Sequence, residues 1–317
     1  MKLRSTPDGL IAHDEQRGRW VRLPGEDDLV AFLAEGQPAR ARATAALDAP
    51  DAETADPATA TLPFRPRSIR AFMLWESHLI ASSRMLVKHF FPAPMWRAVD
   101  AYEKATRRTF PKLKPTQGFY DHPTFYVANH TMVLADGQDM WSPSHTRALD
   151  FELELACVLA RPLADATPEE ALDAVGGWFV LNDWSARDVQ ADDARHNVFG
   201  PVIKAKTFAN SIGCDVVTAD AFGDWEQATG RVRVDGELWC EGGTAGPAHG
   251  LGAMLAYASR GERLDAGDVI STGTMPGCCG IELERWIRPG QTVQLEIDGI
   301  GTLTNRLSAD ATPTTAV

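Results

Sequence analysis

The stretch LDFELELA, residues 149–156, alternates apolar and acidic side chains with a period of two. Side chains two apart on a strand share a face. Glu152 and Glu154 are therefore expected on one face, and Phe151, Leu153 and Leu155 on the other. An amphipathic strand with its glutamates in water is one reading. The next residues, ACVLA (156–160), are apolar on both faces and carry the strand into the interior. Two carboxylates side by side near a buried region repel one another unless a proton or a cation joins them.

Working outward, GGWFVLNDWSARDVQ (176–190) places an apolar strand, 178–181, before Asn182 and Asp183. An Asp at a strand end also forms turns and caps, so both a structural and a functional Asp183 stay open. Three carboxylates suit a hard cation with oxygen ligands, Mg2+ or Mn2+ rather than zinc. No HxxxH or His/Cys set competes.

Strand signals dominate the body. Asp235-Gly236 within RVRVDGELWC (231–240) is a two-residue hairpin turn, and VQLEIDGIGTLTNRL (293–307) reads as a second hairpin. Helices are fewer: 94–106, 168–175 opened by Thr167, and 251–260. Residues 1–24 read as a hairpin around QRG, followed by a helix from Asp27 and Asp28 through LVAFLAEG. DAPDAETADPATATLPFRP (48–66) has no periodic apolar face and reads as a linker. A small N-terminal region, 1–66, is thus expected beside a catalytic body, 67–310, and the tail after Leu307 is expected to fray. The fold class is α+β and β-rich, a mixed β-sandwich or rolled sheet rather than a doubly wound parallel one.

The net charge of −12 argues against nucleic acid or an anionic membrane as main partner. An acidic substrate remains compatible, because a metal and a few cations reverse the sign inside a cleft. No apolar run approaches a membrane span, and MKLRSTPDGLIAHDEQ has no signal-peptide core, so a cytoplasmic chain is expected. Cys157, Cys214, Cys240, Cys278 and Cys279 contain no zinc-type pair and read as reduced thiols.

In order, LDFELELACVLA, NDWSARDVQ, GPVIKAKTFANSIG, GDVISTGTMPGCCG and GIGTLTNRL resemble the fumarylacetoacetate hydrolase superfamily over residues 149–307, and more loosely from Ile69. The resemblance implies a mixed β-roll, a homodimer, and a divalent metal, Mg2+ (or Mn2+ or Ca2+), on Glu152, Glu154 and Asp183. It implies a lysine at Lys206, before Thr207 and Phe208. Lys204 lies two residues away, and on a strand the two would share a face. Arg187, Gln190, Thr274 and, more loosely, Tyr126 match substrate-facing positions. The base matches His78 in IRAFMLWESHLIASSR, paired with Glu282 rather than Glu76, since residues two apart on a helix do not face each other.

Two departures stand out. Larger members carry a fourth ligand, an Asp, where this chain has Ala71, and ADDARHNVF (191–199) lacks their substrate-contacting tyrosine. The implied activity is hydrolysis of a C–C bond in a small 1,3-diketo or acylpyruvate-type acid. The alternative on the same site is decarboxylation or keto–enol tautomerisation of an oxaloacetate-like 2-oxo acid. A non-catalytic binding protein on the same fold is the rival from another class.

Overall fold

The computed structural model describes residues 1–313. Its centre is an 11-stranded mixed sheet. The strands that matter here are β1 (Lys2–Thr6), β2 (Gly9–Asp14), β3 (Arg19–Arg22), β4 (Ile69–Met73), β5 (Thr124–Ala128), β6 (Val133–Ala135), β7 (Glu152–Leu159) and β8 (Val175–Asp183). They are followed by β9 (Asn210–Ile212), β10 (Val216–Thr218), β11 (Thr229–Val234), β12 (Glu237–Gly243), β13 (Val269–Cys279), β14 (Thr292–Ile297) and β15 (Gly301–Arg306). The main sheet runs β3-β2-β1-β10-β8-β7-β13-β4-β5, with β9 bridging β8 and β6. A four-stranded sheet, β12-β11-β14-β15, packs on it. The β-rich α+β fold read from the sequence is the one observed.

The period of two decides which core each side chain enters. Leu153, Leu155 and Cys157 join Val232, Leu295 and Leu303 between the two sheets. Ala156 and Val158 join Leu3, Phe32, Phe179 and Leu181 on the opposite side. Glu152 and Glu154 share that second face. Antiparallel pairing of β8 with β7 sets Leu181 opposite Glu154, so Asp183, two residues on, arrives on the same face.

Both predicted hairpins form. Asp235 (φ 50°) and Gly236 (φ 82°) are left-handed, as the turn between β11 and β12 requires. The N-terminal hairpin, β2–β3, is joined through β1 to β10 of the body. The predicted first helix is α1 (Leu29–Glu35), capped by Asp28, and α2 (Gln37–Asp48) follows. The stretch read as a linker lies back on the hairpin, Ala55 N–H donating to Trp20 O and Arg22 N–H to Glu53 O.

Further helices are α3 (Glu76–Phe90), α4 (Ala93–Thr106), α5 (Pro168–Leu172), α6 (Arg187–His196), α7 (Ile203–Lys206), α8 (Leu251–Ala258) and α9 (Gly280–Leu283). Thr167 and Glu170 form a capping box on α5. The tail does not fray at once: Ser142 N–H donates to Asp310 O and Ser308 N–H to Met140 O. Its last residues, 314–317, fall outside the described ones.

Candidate active site and metal centre

Glu152, Glu154 and Asp183 are 3%, 2% and 1% exposed, and each offers an oxygen within 4.8 Å of the others. Three carboxylates at this depth need positive charge or protons. Lys206 supplies one charge, its Nζ donating to Glu152 Oε2 and, at 2.8 Å, to Asp183 Oδ2. Arg187 supplies another: Nη2 donates to Glu152 Oε1 at 2.6 Å, Nε to Asp150 Oδ2 at 2.7 Å, and Nη1 to Gln190 Oε1 at 2.9 Å. Tyr126 donates its hydroxyl to Asp183 Oδ2 at 2.6 Å. Ser271 Oγ donates to Glu154 Oε2, and Thr274 Oγ1 lies 3.4 Å from Glu154 Oε1.

The electrostatics divide the three acids. Burial alone would raise Glu152, but Lys206 and Arg187 hold it far below the ordinary carboxylate range. Burial, with the charges of Asp183 and Glu152, pushes Glu154 well above that range. Asp183 is pushed up to about 6, chiefly by burial and against the pull of Lys206. Burial opposes the charge of Lys206, yet Asp183 and Glu152 raise its pKa and keep the ammonium protonated.

The cluster fits a divalent cation. Asp183 Oδ1 is buried without a hydrogen-bond partner, which costs about 1–3 kcal/mol unless something else satisfies it. Glu154 has no ion pair with a cationic side chain among the described residues; burial favours its protonated form, and a bound metal would displace that proton. An all-oxygen donor set selects hard cations. Ala71, on β4, offers no side-chain ligand at the position of the fourth acid.

Beside the cluster, His78 Nδ1 lies 2.6 Å from Glu282 Oε1. His78 sits on the first turn of α3 and is 5% exposed. A proton on its ring would help hold Glu152 ionised. Glu282, on α9, also accepts from the Gly277 N–H at 3.2 Å. The residues chosen from the sequence thus meet around one centre.

One expectation is corrected. Residues 203–206 form the single turn α7, not a strand, so Lys204 and Lys206 do not share a face: Lys206 is buried and Lys204 exposed. Two residues were missed. Asp150, fully buried, accepts from Gly280 N–H and Ile281 N–H at 2.7 and 2.9 Å as well as from Arg187. It thereby ties the carboxylate cluster to the helix that bears Glu282. The other is Ser271. A signal for Asp150 was present, since it continues the Glu152–Glu154 alternation backwards.

Residues 96–308 match the family model described as fumarylacetoacetate (FAA) hydrolase C-terminal. A relative from Escherichia coli, the 4-hydroxyphenylacetate degradation bifunctional isomerase/decarboxylase, is 27% identical over 241 residues, covering 70% of this chain and 54% of that protein. The oxaloacetate tautomerase YisK of Bacillus subtilis is 31% identical over 189 residues, covering 59% of this chain and 62% of its own length. The chain thus spans little more than half the length of these curated relatives. The crystal structure of fumarylpyruvate hydrolase from Pseudomonas aeruginosa, in complex with Mn2+ and pyruvate, superposes with a TM-score of 0.56. It is 21% identical and covers 82% of this chain and 93% of that one, a likeness of fold. Among the described residues no helix is long and apolar enough to cross a membrane.

Proposed function

The chain belongs to the fumarylacetoacetate hydrolase family, and from that premise we propose that it is a divalent-metal-dependent hydrolase cleaving a C–C bond in a small acylpyruvate or 1,3-diketo acid. The observation that carries this reading is the His78–Glu282 pair beside the three-carboxylate cluster. Glu152, Glu154 and Asp183 would hold the cation, Mg2+ or Mn2+, which when bound supplies Lewis acidity toward the substrate's oxygens.

The remaining chemistry belongs to the side chains. A Glu282 carboxylate accepting from Nδ1–H fixes the His78 tautomer and leaves Nε2 as proton acceptor. His78 takes a proton from water as its oxygen attacks the acyl carbonyl carbon. The C–C bond then breaks, leaving a carboxylic acid and the enolate of pyruvate, which takes up a proton. The Lys206 ammonium, held by Glu152 and Asp183, would stabilise charge on the enolate oxygen, a service worth about 3–4 kcal/mol for a well-placed donor. Arg187 keeps Glu152 ionised, Tyr126 orients Asp183, and Gln190, matched to a substrate-facing position, also accepts from the Arg187 fork. Thr274, beside Glu154, faces the substrate in this proposal.

The names of the relatives support a second reading, decarboxylation or keto–enol exchange of an oxaloacetate-like acid. That chemistry uses the same cluster and Lys206 but no attacking water. Loss of ultraviolet absorbance from acylpyruvates, with pyruvate and acid formed in equal amounts only when Mg2+ or Mn2+ is present, tests the first reading. Turnover of oxaloacetate alone would replace it with the second. No turnover of either substrate with any metal would leave a binding protein.

A further inference from the structure

Cys279 completes a second donor cluster next to the first. A ring nitrogen of His78, the Cys279 sulfur and a Glu282 oxygen all lie within 4.8 Å of one another. Glu282 Oε1 is the shared corner, 2.6 Å from His78 Nδ1 and 3.3 Å from Cys279 Sγ. The three side chains come from α3, the end of β13 and α9, so their positions are set by tertiary packing. His78 is 5% exposed and Cys279 fully buried, while the Glu282 side chain is 8% exposed.

This donor set differs in kind from the neighbouring one. An imidazole, a thiol and one carboxylate select a borderline or soft cation, whereas three carboxylates select a hard one. Three protein ligands with water in the fourth place are an ordinary tetrahedral zinc arrangement. Bonds of about 2.0–2.3 Å place ligand atoms roughly 3.3–3.7 Å apart in a tetrahedron. The Cys279–Glu282 spacing already satisfies this, and His78 Nδ1, now 2.6 Å from Glu282 Oε1, must move away from that oxygen by roughly 1 Å to reach tetrahedral spacing.

We propose that His78, Cys279 and Glu282 form a second metal site, for a thiophilic divalent cation of the zinc type, and that filling it inhibits the enzyme. On binding, the sulfur–metal bond forms as the thiol proton leaves to solvent. Neutral His78 gives its Nδ1 lone pair to the metal and must then carry its proton on Nε2. The nitrogen that accepts a proton from water is thereby occupied, and Glu282 is withdrawn from the pair. Binding stands on this geometry alone; the inhibition rests on the role proposed for His78.

X-ray absorption at the zinc edge tests the site on the wild-type protein, with saturating Mg2+ to fill the carboxylate cluster and one equivalent of Zn2+ added. One sulfur at about 2.3 Å among nitrogen and oxygen ligands is expected; a shell without sulfur overturns the site. The sulfur signal should vanish in Cys279→Ala, and its persistence there would assign it to another cysteine and overturn the proposal. The inhibition is read separately. Measured against its own zinc-free rate, Cys279→Ala should need on the order of tenfold more Zn2+ for half-inhibition. Equal sensitivity in the two proteins, with the sulfur ligand confirmed, would overturn the inhibitory half while leaving the site.

Discussion

Lys204 and Lys206 are two positions apart, yet one is exposed and the other buried between Glu152 and Asp183. A lysine stabilising an enolate acts mainly in the transition state. Lys206→Met should therefore lower kcat by about 10²- to 10³-fold with a modest change in KM, while Lys204→Met leaves both within about twofold. The opposite ranking, or an effect of Lys206→Met confined to KM, would assign the role wrongly. At this scale the sequence was informative where spacing has a geometric meaning. Glu152 and Glu154 follow from the period of a strand. Lys206 could not be told from Lys204 by position, because the turn that separates them is a single helical turn without an apolar stripe.

Elements differ in how openly they are written. The hairpin at Asp235-Gly236 is legible because its backbone demands left-handed residues; Gly236→Ala should cost about 1–2 kcal/mol in urea unfolding, and no loss would mean the turn is built otherwise. Helices α3 and α6 were not legible. Their most deeply buried positions are His78 and Ser82 in one, Arg187 and Ala191 in the other, so the face each turns inward is not written as an apolar stripe. They are polar inward because they line the site. The link between elements is also invisible in sequence: Asp150 accepts from the first two N–H groups of α9 and from Arg187. Asp150→Ala leaves a buried guanidinium short of a partner and should cost about 3–5 kcal/mol of stability. It should also lower kcat, because α9 carries Glu282. A variant as stable and as active as the wild type would show that this link is not needed.

For the whole molecule, folding concentrates three acids that only a cation or protons can reconcile. The native Asp183 carboxyl is pushed up to about 6 from 3.8 by burial. Without metal, the native state binds a proton there that the unfolded chain has already released. Stability from this group is therefore full below its unfolded value and lost as pH rises through about 6. A cation replaces that proton, so the gain in Tm from Mg2+ or Mn2+ should be larger near pH 7.5 than near about pH 5. Glu152→Ala or Asp183→Ala should abolish it; a gain that survives both variants would place the metal elsewhere. Most directly, the role of His78 divides the two chemistries this architecture can run. The measurement is the activity of His78→Ala on an acylpyruvate and on oxaloacetate, at saturating Mn2+. If His78 activates the attacking water, hydrolysis falls by about 10² to 10⁴ and decarboxylation falls much less. Equal losses on the two substrates, or hydrolysis left intact, would contradict the assignment of a water-activating base and with it the hydrolase.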